Sequence, residues 1–369
     1  MRAIIFNGTA AEFTADLEVR APGPKEVKVR MVAAGLCHSD VSVINGTIPW
    51  PAPSVLGHEG AGIVSEVGSA VTSVVPGDHI VISTLAACGV CRQCASGRPT
   101  RCRKSIGNAS QPFTLHGTPC TNFAGTSAFA EETLITELQA VRIPKDVPLT
   151  SAALVGCGVI TGAGAVFNRA NVQPGDTAIV FGVGGVGLNT IQALRIKRAS
   201  RIIAIDTMAS KEALARQFGA TDFINASEVE DVVAKVHELV PYADGLPVGG
   251  FNSGGVDWAF DVVGHPKVTS QCLDCLDWGG TVVILGVPAP GTEMNLSYSR
   301  LTHVDRTVMG TRAGSYVPQR DLVGIVEMYR RGEYMLDELV TAQYQLEDFD
   351  QAVHDMHEGK LARGVLTFA

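Results

Sequence analysis

The chain has 369 residues, of which 46% are hydrophobic and 18% are charged. This length favours two domains, and this composition excludes intrinsic disorder as the main state. The net charge of −8, from 29 basic and 37 acidic residues, argues against nucleic acid or an anionic membrane as the main partner.

The first part of the chain, up to about residue 85, predicts a β-rich lobe. It carries short apolar or alternating runs, such as AIIF, VKVRMVAAG, GAGIVSEVG and HIVIS, separated by Gly and Pro. The apolar run in MRAIIF is too short for a signal peptide. The uncharged stretch 147–168 is rich in Gly and Thr, so we interpret it as a buried segment rather than a membrane span. We therefore expect a soluble, cytoplasmic protein.

From about residue 160 to residue 300 the pattern changes. Apolar runs such as TAIVFG, RIIAID, VDWAFDVVG and GTVVILGV alternate with helical patterns, which predicts βαβ units and a parallel sheet. The Gly- and Pro-rich stretch 241–255 predicts an exposed loop. After residue 315 the chain predicts two helices, 318–332 and 346–359, and a last strand in GVLTFA.

Four of the nine cysteines lie in one loop, CGVCRQCASGRPTRC, and these are Cys88, Cys91, Cys94 and Cys102. A long chain without a signal peptide is a poor candidate for a disulfide framework, so metal binding is the better interpretation. Four thiolates at this spacing can close a tetrahedral zinc site that has no open position for substrate. An iron–sulfur cluster is the minor alternative. A second C-x-x-C pair, Cys272 and Cys275, falls on a predicted helix, and we interpret it as two packed thiols.

A strand, a glycine-rich turn and a helix predict a dinucleotide site. The segment AIVFGVGGVG carries G-x-G-x-x-G at Gly182, Gly184 and Gly187. The first glycine permits the tight turn, the second lets the backbone approach a pyrophosphate, and the third lets helix and strand pack closely. Asp206 ends the next apolar run, where a carboxylate binds the ribose hydroxyls and repels a 2′-phosphate. We therefore predict NAD rather than NADP.

Three further motifs indicate a second metal centre. GLCHSD supplies Cys37, GHEGAG supplies His58 and LVGCGVITG supplies Cys157. Two cysteines and one histidine form the ligand set of a catalytic zinc that keeps one open position. Each of the three alone is compatible with a core residue, but their joint occurrence beside a dinucleotide motif favours the metal centre.

Together these motifs resemble the zinc-dependent alcohol dehydrogenases of the medium-chain dehydrogenase/reductase superfamily. The resemblance rests on GHEGAGIV, GLCHSD, the four-cysteine loop, GVGGVG and GKLARGVLTF, and it covers essentially the whole chain. It implies an α/β fold with a GroES-like β-rich catalytic domain, 1–158 and 312–369. The remaining segment, 159–311, would be a Rossmann doubly wound parallel-sheet coenzyme domain. It also implies a catalytic zinc, a structural zinc, NAD, a cleft between the domains that holds the nicotinamide and the catalytic zinc, and a homodimer.

The resemblance also assigns roles to single residues. The catalytic zinc would be bound by Cys37, His58 and Cys157, with Glu59 close behind the metal. Asp40 would orient His58 through a hydrogen bond, and Ser39 would take the proton of the alcohol. The cofactor would be bound by His38, Gly182, Gly184, Gly185, Val186, Gly187, Asp206, Lys211 and Arg363.

The sequence departs from the family pattern in the proton relay and in the pocket. Ser42 stands where many relatives carry a histidine, so the relay would end in water or ribose. Thr84 stands where many relatives have an aromatic ring, and Ala124 where a larger aliphatic residue is common. These smaller residues predict a roomier pocket that prefers bulky or aromatic primary alcohols to ethanol. The predicted pocket residues are Ile48, Trp50, Thr84, Phe123 and Ala124.

Three alternative functions stay open. A thiol-dependent formaldehyde dehydrogenase shares every motif, and its charged thiol cofactor would need basic residues, for which Arg98, Arg101, Arg103 and Lys104 are the candidates. A nicotinoprotein would keep its NAD bound through turnover. A non-catalytic protein that binds zinc and NAD is disfavoured by the intact ligand set and by Ser39. In each enzymatic case the partner is a small-molecule alcohol or aldehyde.

Overall fold

The computed structural model describes residues 1–105, 107, 109–241 and 254–368. It divides into two compact units: unit 1 is Met1–Ile160 with Tyr316–Ala369, and unit 2 is Thr161–Ser315. The predicted domain boundaries, at 158/159 and 311/312, lie a few residues before these. Most of the predicted loop 241–255 lies outside the described residues; Pro241 and Gly254 at its ends form an antiparallel bridge.

The chain up to residue 164 forms mainly short strands, because its apolar runs are interrupted every few residues by Gly or Pro. The strands are β1 (Ala3–Phe6), β2 (Ala11–Thr14), β3 (Leu17–Val19), β4 (Glu26–Gly35), β5 (Ser54–Val55), β6 (Glu59–Val67), β7 (His79–Ile82), β8 (Phe113–Leu115), β9 (Thr118–Asn122), β10 (Glu132–Thr136) and β11 (Ala140–Arg142). The helices are α1 (His38–Ile44), α2 (Arg92–Ala95), α3 (Leu149–Ala152) and α4 (Gly158–Gly164).

Strands and helices then alternate through unit 2. The strands are β12 (Thr177–Phe181), β13 (Arg201–Asp206), β14 (Asp222–Asn225), β15 (Val256–Asp261), β16 (Leu276–Ile284) and β17 (Thr307–Gly310). The helices are α5 (Gly185–Ile196), α6 (Glu212–Phe218), α7 (Val232–Leu239), α8 (Pro266–Asp274) and α9 (Ser299–Thr302). All strand pairs are parallel, in the order β14-β13-β12-β15-β16-β17. This is the doubly wound order of a Rossmann fold, which reverses beside β12 and binds ligands at the carboxyl ends of its strands.

The C-terminal segment returns to unit 1 as α10 (Pro318–Arg330), β18 (Val340–Gln345), α11 (Phe349–His357) and β19 (Arg363–Thr367). One sheet of unit 1 has the order β2-β1-β5-β9-β8-β3, and the other has the order β11-β7-β6-β4-β19-β18, with β10 paired to β4. In this second sheet Gly35 of β4 lies opposite Glu59 of β6 and Val365 of β19. The strand register thus brings three distant chain segments side by side.

Each unit has its own apolar core. In unit 1 the buried ring of Phe129 packs against Phe349, with ring centroids 5.6 Å apart. In unit 2 Cys272 and Cys275 are fully buried in the apolar cluster below the parallel sheet. Burial raises the pKa of Cys275 to about 12, so this pair packs as neutral thiols, as the sequence predicts.

Within the described residues no single helix is both long and apolar enough to cross a membrane. One bent pair of helical segments, Leu149–Gly156 with Gly158–Arg169, meets that test by length and composition only.

We predict that Phe129→Ala lowers the free energy of unfolding of unit 1 by about 3–5 kcal/mol, because it removes a fully buried ring and leaves a cavity. The matched control is Phe13→Ala, since Phe13 is 45% exposed. That change should cost less than about 1 kcal/mol. Urea unfolding followed by circular dichroism measures both variants, and equal losses would contradict this placement of the core.

Candidate metal centres and cofactor site

Three turns of unit 1 bring together the residues of the first metal centre. Cys37 precedes α1, His58 precedes β6, and Cys157 lies between a 3₁₀ turn at Ala153–Gly156 and α4. The ligand atoms of these three residues and of Glu59 all lie within 4.8 Å of one another. The structure therefore gathers the three donors that the sequence singles out from distant motifs.

His58 is oriented by a buried carboxylate. Its Nδ1 lies 3.0 Å from Oδ1 of Asp40, which is fully buried and also accepts hydrogen bonds from the backbone amides of Gly57 and Cys37. The other ring nitrogen, Nε2, is buried and has no hydrogen-bond partner among the described residues. Buried polar atoms are rarely left unpaired, and a metal ion is the partner that this donor set fits.

The charges of the centre also suit a cation. The Cys157 thiol lowers the pKa of Cys37 well below its usual value, and His58 adds to this effect against the cost of burial. Burial alone would lower the pKa of His58, but Asp40 and Cys37 outweigh it and raise that pKa well above its usual value. A lowered pKa at Cys37 favours the thiolate that a divalent cation requires as a ligand.

Glu59 and Arg363 form a buried ion pair directly behind these ligands. Burial raises the pKa of Glu59 to about 7, although Arg363 opposes this shift. Arg363 also donates a hydrogen bond to the carbonyl of Leu36 at 3.0 Å. The pair needs glycine on both sides: a Cβ at Gly35 would lie 2.3 Å from Glu59 Oε2, and a Cβ at Gly158 would lie 2.1 Å from the Arg363 guanidinium.

Sequence reasoning missed this ion pair and placed Arg363 only among the cofactor-binding residues, a role that stays a prediction. The signal that could have revealed the pair is the glycine on either side of the ligand motifs, Gly35 before Cys37 and Gly158 after Cys157.

The second candidate metal centre is the four-cysteine loop. The sulfur atoms of Cys88, Cys91, Cys94 and Cys102 all lie within 4.8 Å of one another. The Cys91–Cys94 and Cys88–Cys102 sulfur pairs are 3.5 and 3.6 Å apart. A zinc tetrahedron with bonds of about 2.3 Å has edges of about 3.8 Å, so the four sulfurs match a closed zinc site. Backbone amides of Val90 and Cys91 lower the pKa of Cys88 to about 6, which favours its thiolate, whereas burial raises the pKa of Cys94 to about 12.

The glycine motif of unit 2 has the shape that a pyrophosphate requires. Gly182 has a φ of +96°, which lets the chain turn sharply after β12, and a Cβ at Gly187 would lie 1.8 Å from the carbonyl oxygen of Gly182. By contrast, a Cβ at Gly184 would meet no atom within 4 Å. Open space at the N-terminus of α5 therefore fits a cofactor pyrophosphate.

Asp206 lies beside this motif at the end of β13. Its carboxylate accepts hydrogen bonds from the backbone amides of Val183 at 2.8 Å and Met208 at 3.1 Å. Lys211 ends the short turn Ala209–Lys211 that follows. His38 and Arg363, the other two predicted cofactor contacts, belong to unit 1.

Four of the predicted pocket residues lie in one cluster. The rings of Trp50 and Phe123 meet edge to face with centroids 5.1 Å apart, and Phe123 meets His58 in the same way at 5.5 Å. Ile48 and Ala124 pack against the same apolar core. Aromatic side chains thus stand directly beside the predicted metal ligand.

The fifth pocket residue, Thr84, has an unexpected neighbour. Its hydroxyl lies 3.4 Å from the hydroxyl of Tyr316, a fully buried residue that sequence reasoning missed. Burial raises the pKa of Tyr316 to about 12, so its phenol keeps its proton at neutral pH. Tyr316 lies far along the chain from all the predicted metal ligands, so no sequence motif indicates that it belongs to this site.

Comparison with known proteins agrees with this geometry. Residues 23–145 match the family described as alcohol dehydrogenase GroES-like domain, and residues 185–329 match the family described as zinc-binding dehydrogenase. An S-(hydroxymethyl)glutathione dehydrogenase of Synechocystis sp. is 38% identical over 363 residues, which cover 96% of this chain and 95% of that protein. The chain belongs to the zinc-dependent alcohol dehydrogenases of the medium-chain dehydrogenase/reductase superfamily.

Two solved structures support this membership. Benzyl alcohol dehydrogenase from Acinetobacter calcoaceticus aligns with a TM-score of 0.90 at 34% identity, over 100% of this chain and 99% of that one. An alcohol dehydrogenase zinc-binding domain protein from Burkholderia ambifaria aligns with a TM-score of 0.92 at 36% identity, over 100% and 98% of the two chains. The predicted pairing of a GroES-like domain with a Rossmann domain is confirmed, as is an alcohol dehydrogenase that uses zinc and a nicotinamide cofactor.

Two glycine variants of this alcohol dehydrogenase should separate backbone packing from cofactor binding. We predict that Gly184→Ala leaves the melting temperature of the cofactor-free protein unchanged, because its Cβ has free space, but weakens NAD binding at least about tenfold. Gly187→Ala should lower that melting temperature as well, because its Cβ meets the backbone of Gly182. Thermal melts and calorimetric titration with NAD measure the two effects. Wild-type NAD affinity in Gly184→Ala would contradict this assignment.

Proposed function

We propose that this enzyme oxidises bulky or aromatic primary alcohols to aldehydes, or catalyses the reverse reaction, with hydride transfer to or from NAD. The observation that carries the proposal is the buried His58 Nε2, which has no partner among the described residues and lies within 4.8 Å of the donor atoms of Cys37 and Cys157. Three protein ligands of this kind leave a fourth position for a substrate oxygen.

A zinc ion held by these ligands supplies the Lewis acidity that makes a substrate hydroxyl easier to deprotonate. Ser39 accepts that proton. It is half-buried on the first turn of α1, two residues after Cys37, and its hydroxyl has no hydrogen-bond partner among the described residues. The proton then leaves through water or the cofactor ribose, because Ser42 takes the place of the usual histidine. Asp40 holds the His58 ring in place throughout.

Asp206 underlies the choice of NAD over NADP. Two backbone amides hold its carboxylate beside the glycine motif, where it accepts hydrogen bonds from ribose hydroxyls and repels a 2′-phosphate. We predict a kcat/KM at least about 100-fold higher with NAD than with NADP, and a preference below about tenfold in Asp206→Ser.

The control for this measurement is Glu228→Gln, which removes an exposed acidic residue of the same unit and should keep the wild-type preference. Steady-state kinetics with both cofactors measure all three proteins. Equal use of NADP by the wild-type enzyme would overturn the assignment of Asp206.

The substrate class follows from the aromatic cluster beside His58 and from the small side chains of Thr84 and Ala124. Trp50 and Phe123 offer edges against which an aromatic substrate packs. The benzyl alcohol dehydrogenase to which the chain is similar supports the same substrate class.

A panel of benzyl, terpenoid and short-chain alcohols with NAD tests this proposal. We predict a kcat/KM for benzyl alcohol at least about tenfold above that for ethanol, since apolar burial of a ring exceeds that of a methyl group. Ser39→Ala should lower kcat about 100-fold or more while keeping its zinc. A kcat/KM for ethanol that equals or exceeds that for benzyl alcohol would contradict the substrate class. Unchanged turnover in Ser39→Ala would contradict the proton path.

Oxidation of a glutathione adduct of formaldehyde is the second candidate function. The similar protein of Synechocystis sp. is named S-(hydroxymethyl)glutathione dehydrogenase. The four-cysteine loop and the residues just after it also carry exposed cations that make no ion pair with a described residue, namely Arg98, Arg101, Arg103 and Lys104. Formaldehyde oxidation that requires added glutathione, and that exceeds benzyl alcohol oxidation in kcat/KM, would favour this function over the first.

A further inference from the structure

The metal ligand Cys157 lies at a break between two helical segments. Its φ of −139° and ψ of −79° fall outside the helical region, with the 3₁₀ turn Ala153–Gly156 before it and α4 after it. No regular helical hydrogen-bond ladder passes through such a break, so other groups must fix the peptides on both sides of the ligand.

The peptide after Cys157 is held by the buried ion pair already described. The amide of Gly158 donates a hydrogen bond to Oε1 of Glu59 at 3.1 Å, and Arg363 neutralises that carboxylate.

The peptide before Cys157 is held by Thr84. The Thr84 hydroxyl donates to the carbonyl oxygen of Gly156 at 2.8 Å, and its backbone amide approaches the same oxygen at 3.5 Å. Gly156 also packs against the end of β7, since a Cβ there would lie 2.1 Å from the carbonyl oxygen of Ile82. Among the described residues, the side-chain donor to the carbonyl that precedes the ligand is therefore Thr84.

Thr84 is in turn part of a hydrogen-bond chain that has a single direction. The amide of Leu85 donates to Oγ of Ser83 at 3.1 Å; Ser83 and the Tyr316 hydroxyl are 2.8 Å apart; Tyr316 and the Thr84 hydroxyl are 3.4 Å apart. An amide can only donate and a carbonyl can only accept, so the proton of the Thr84 hydroxyl goes to the Gly156 carbonyl. The Tyr316 hydroxyl then donates to Thr84, and the Ser83 hydroxyl donates to Tyr316, so each of the three hydroxyls donates once and accepts once. Tyr316 is fully buried.

We propose that Thr84 and Tyr316 are positioning residues for Cys157, the third ligand of the catalytic zinc. They act through the carbonyl of Gly156 and fix the backbone from which the Cys157 sulfur projects. This inference rests on the proposed function, because it requires that Cys157 binds the catalytic zinc. It gives Thr84 a role beyond that of a small pocket wall.

The test is the rate at which a chromophoric chelator removes zinc from the intact enzyme. We expect Thr84→Val to release the catalytic zinc about tenfold faster than wild type. This is the lower end of the change in metal affinity that follows when a group that orients a metal ligand is removed. Thr84→Ser keeps the hydroxyl and should restore the wild-type rate. Tyr316→Phe should accelerate release less than Thr84→Val does, because it leaves the Thr84 hydroxyl in place.

Two controls accompany this measurement. Thr190→Val removes another buried threonine hydroxyl that donates to a backbone carbonyl, that of Val186 at 3.0 Å in unit 2, and should leave zinc release unchanged. Zinc of the four-cysteine loop is the internal reference. The His58→Ala variant, which is expected to lose the catalytic zinc, identifies which class of zinc is which.

A wild-type rate of zinc release in Thr84→Val would overturn the inference. An altered KM for alcohols of different size in the same variant would then show that Thr84 only lines the pocket. Failure of Thr84→Ser to restore the rate would also overturn it. A wild-type enzyme that releases a single class of zinc overturns the proposed function itself, and this inference with it.

Discussion

The hydrogen bond between His58 and Asp40 is the interaction on which the proposed catalytic centre depends. Asp40 is fully buried, and the backbone amides of Cys37 and Gly57 hold its carboxylate in place. Because Nδ1 of His58 is engaged, Nε2 is the ring nitrogen left for a metal ion, and no described residue pairs with it. An unpaired buried nitrogen costs free energy, and metal coordination recovers that cost. One carboxylate thus orients the imidazole and also ties together the two segments that carry Cys37 and His58.

Glycine makes room for this centre. Gly57 has a φ of +91°, and a Cβ there would lie 2.4 Å from the backbone nitrogen of Phe129. Gly35 and Gly158 admit the Glu59–Arg363 pair, and Gly156 admits the close contact with β7. Each predicted ligand of the catalytic zinc is therefore next to, or two residues from, a glycine at which an added Cβ would clash with surrounding backbone or side-chain atoms. The high glycine content of the chain has a physical reason at this centre, where backbone segments, an ion pair and three predicted metal ligands crowd together.

The parts of the site that the sequence predicts most directly are those whose residues are close together in the chain. The four-cysteine loop and the glycine motif each lie within a short segment, so spacing alone indicates their chemistry. Cys37, His58 and Cys157 are distant from one another, and only their joint occurrence with the dinucleotide motif indicates a common centre. The Glu59–Arg363 pair and the contact of Thr84 with Tyr316 depend on the pairing of β4, β6 and β19 and on the packing of the C-terminal segment. The glycines beside the ligand motifs mark where the ion pair has room, but no local pattern names the two partners of either contact, which is why sequence reasoning missed both.

The measurement that tests the central claim most directly is the zinc content of the purified enzyme and of its His58→Ala variant, determined by mass spectrometry of the metal. A centre built on His58, Cys37 and Cys157, separate from the four-cysteine loop, predicts two zinc ions per chain in the wild-type enzyme and one in the variant. A fully loaded wild-type enzyme with one zinc ion per chain, or a His58→Ala variant that keeps two, would contradict it.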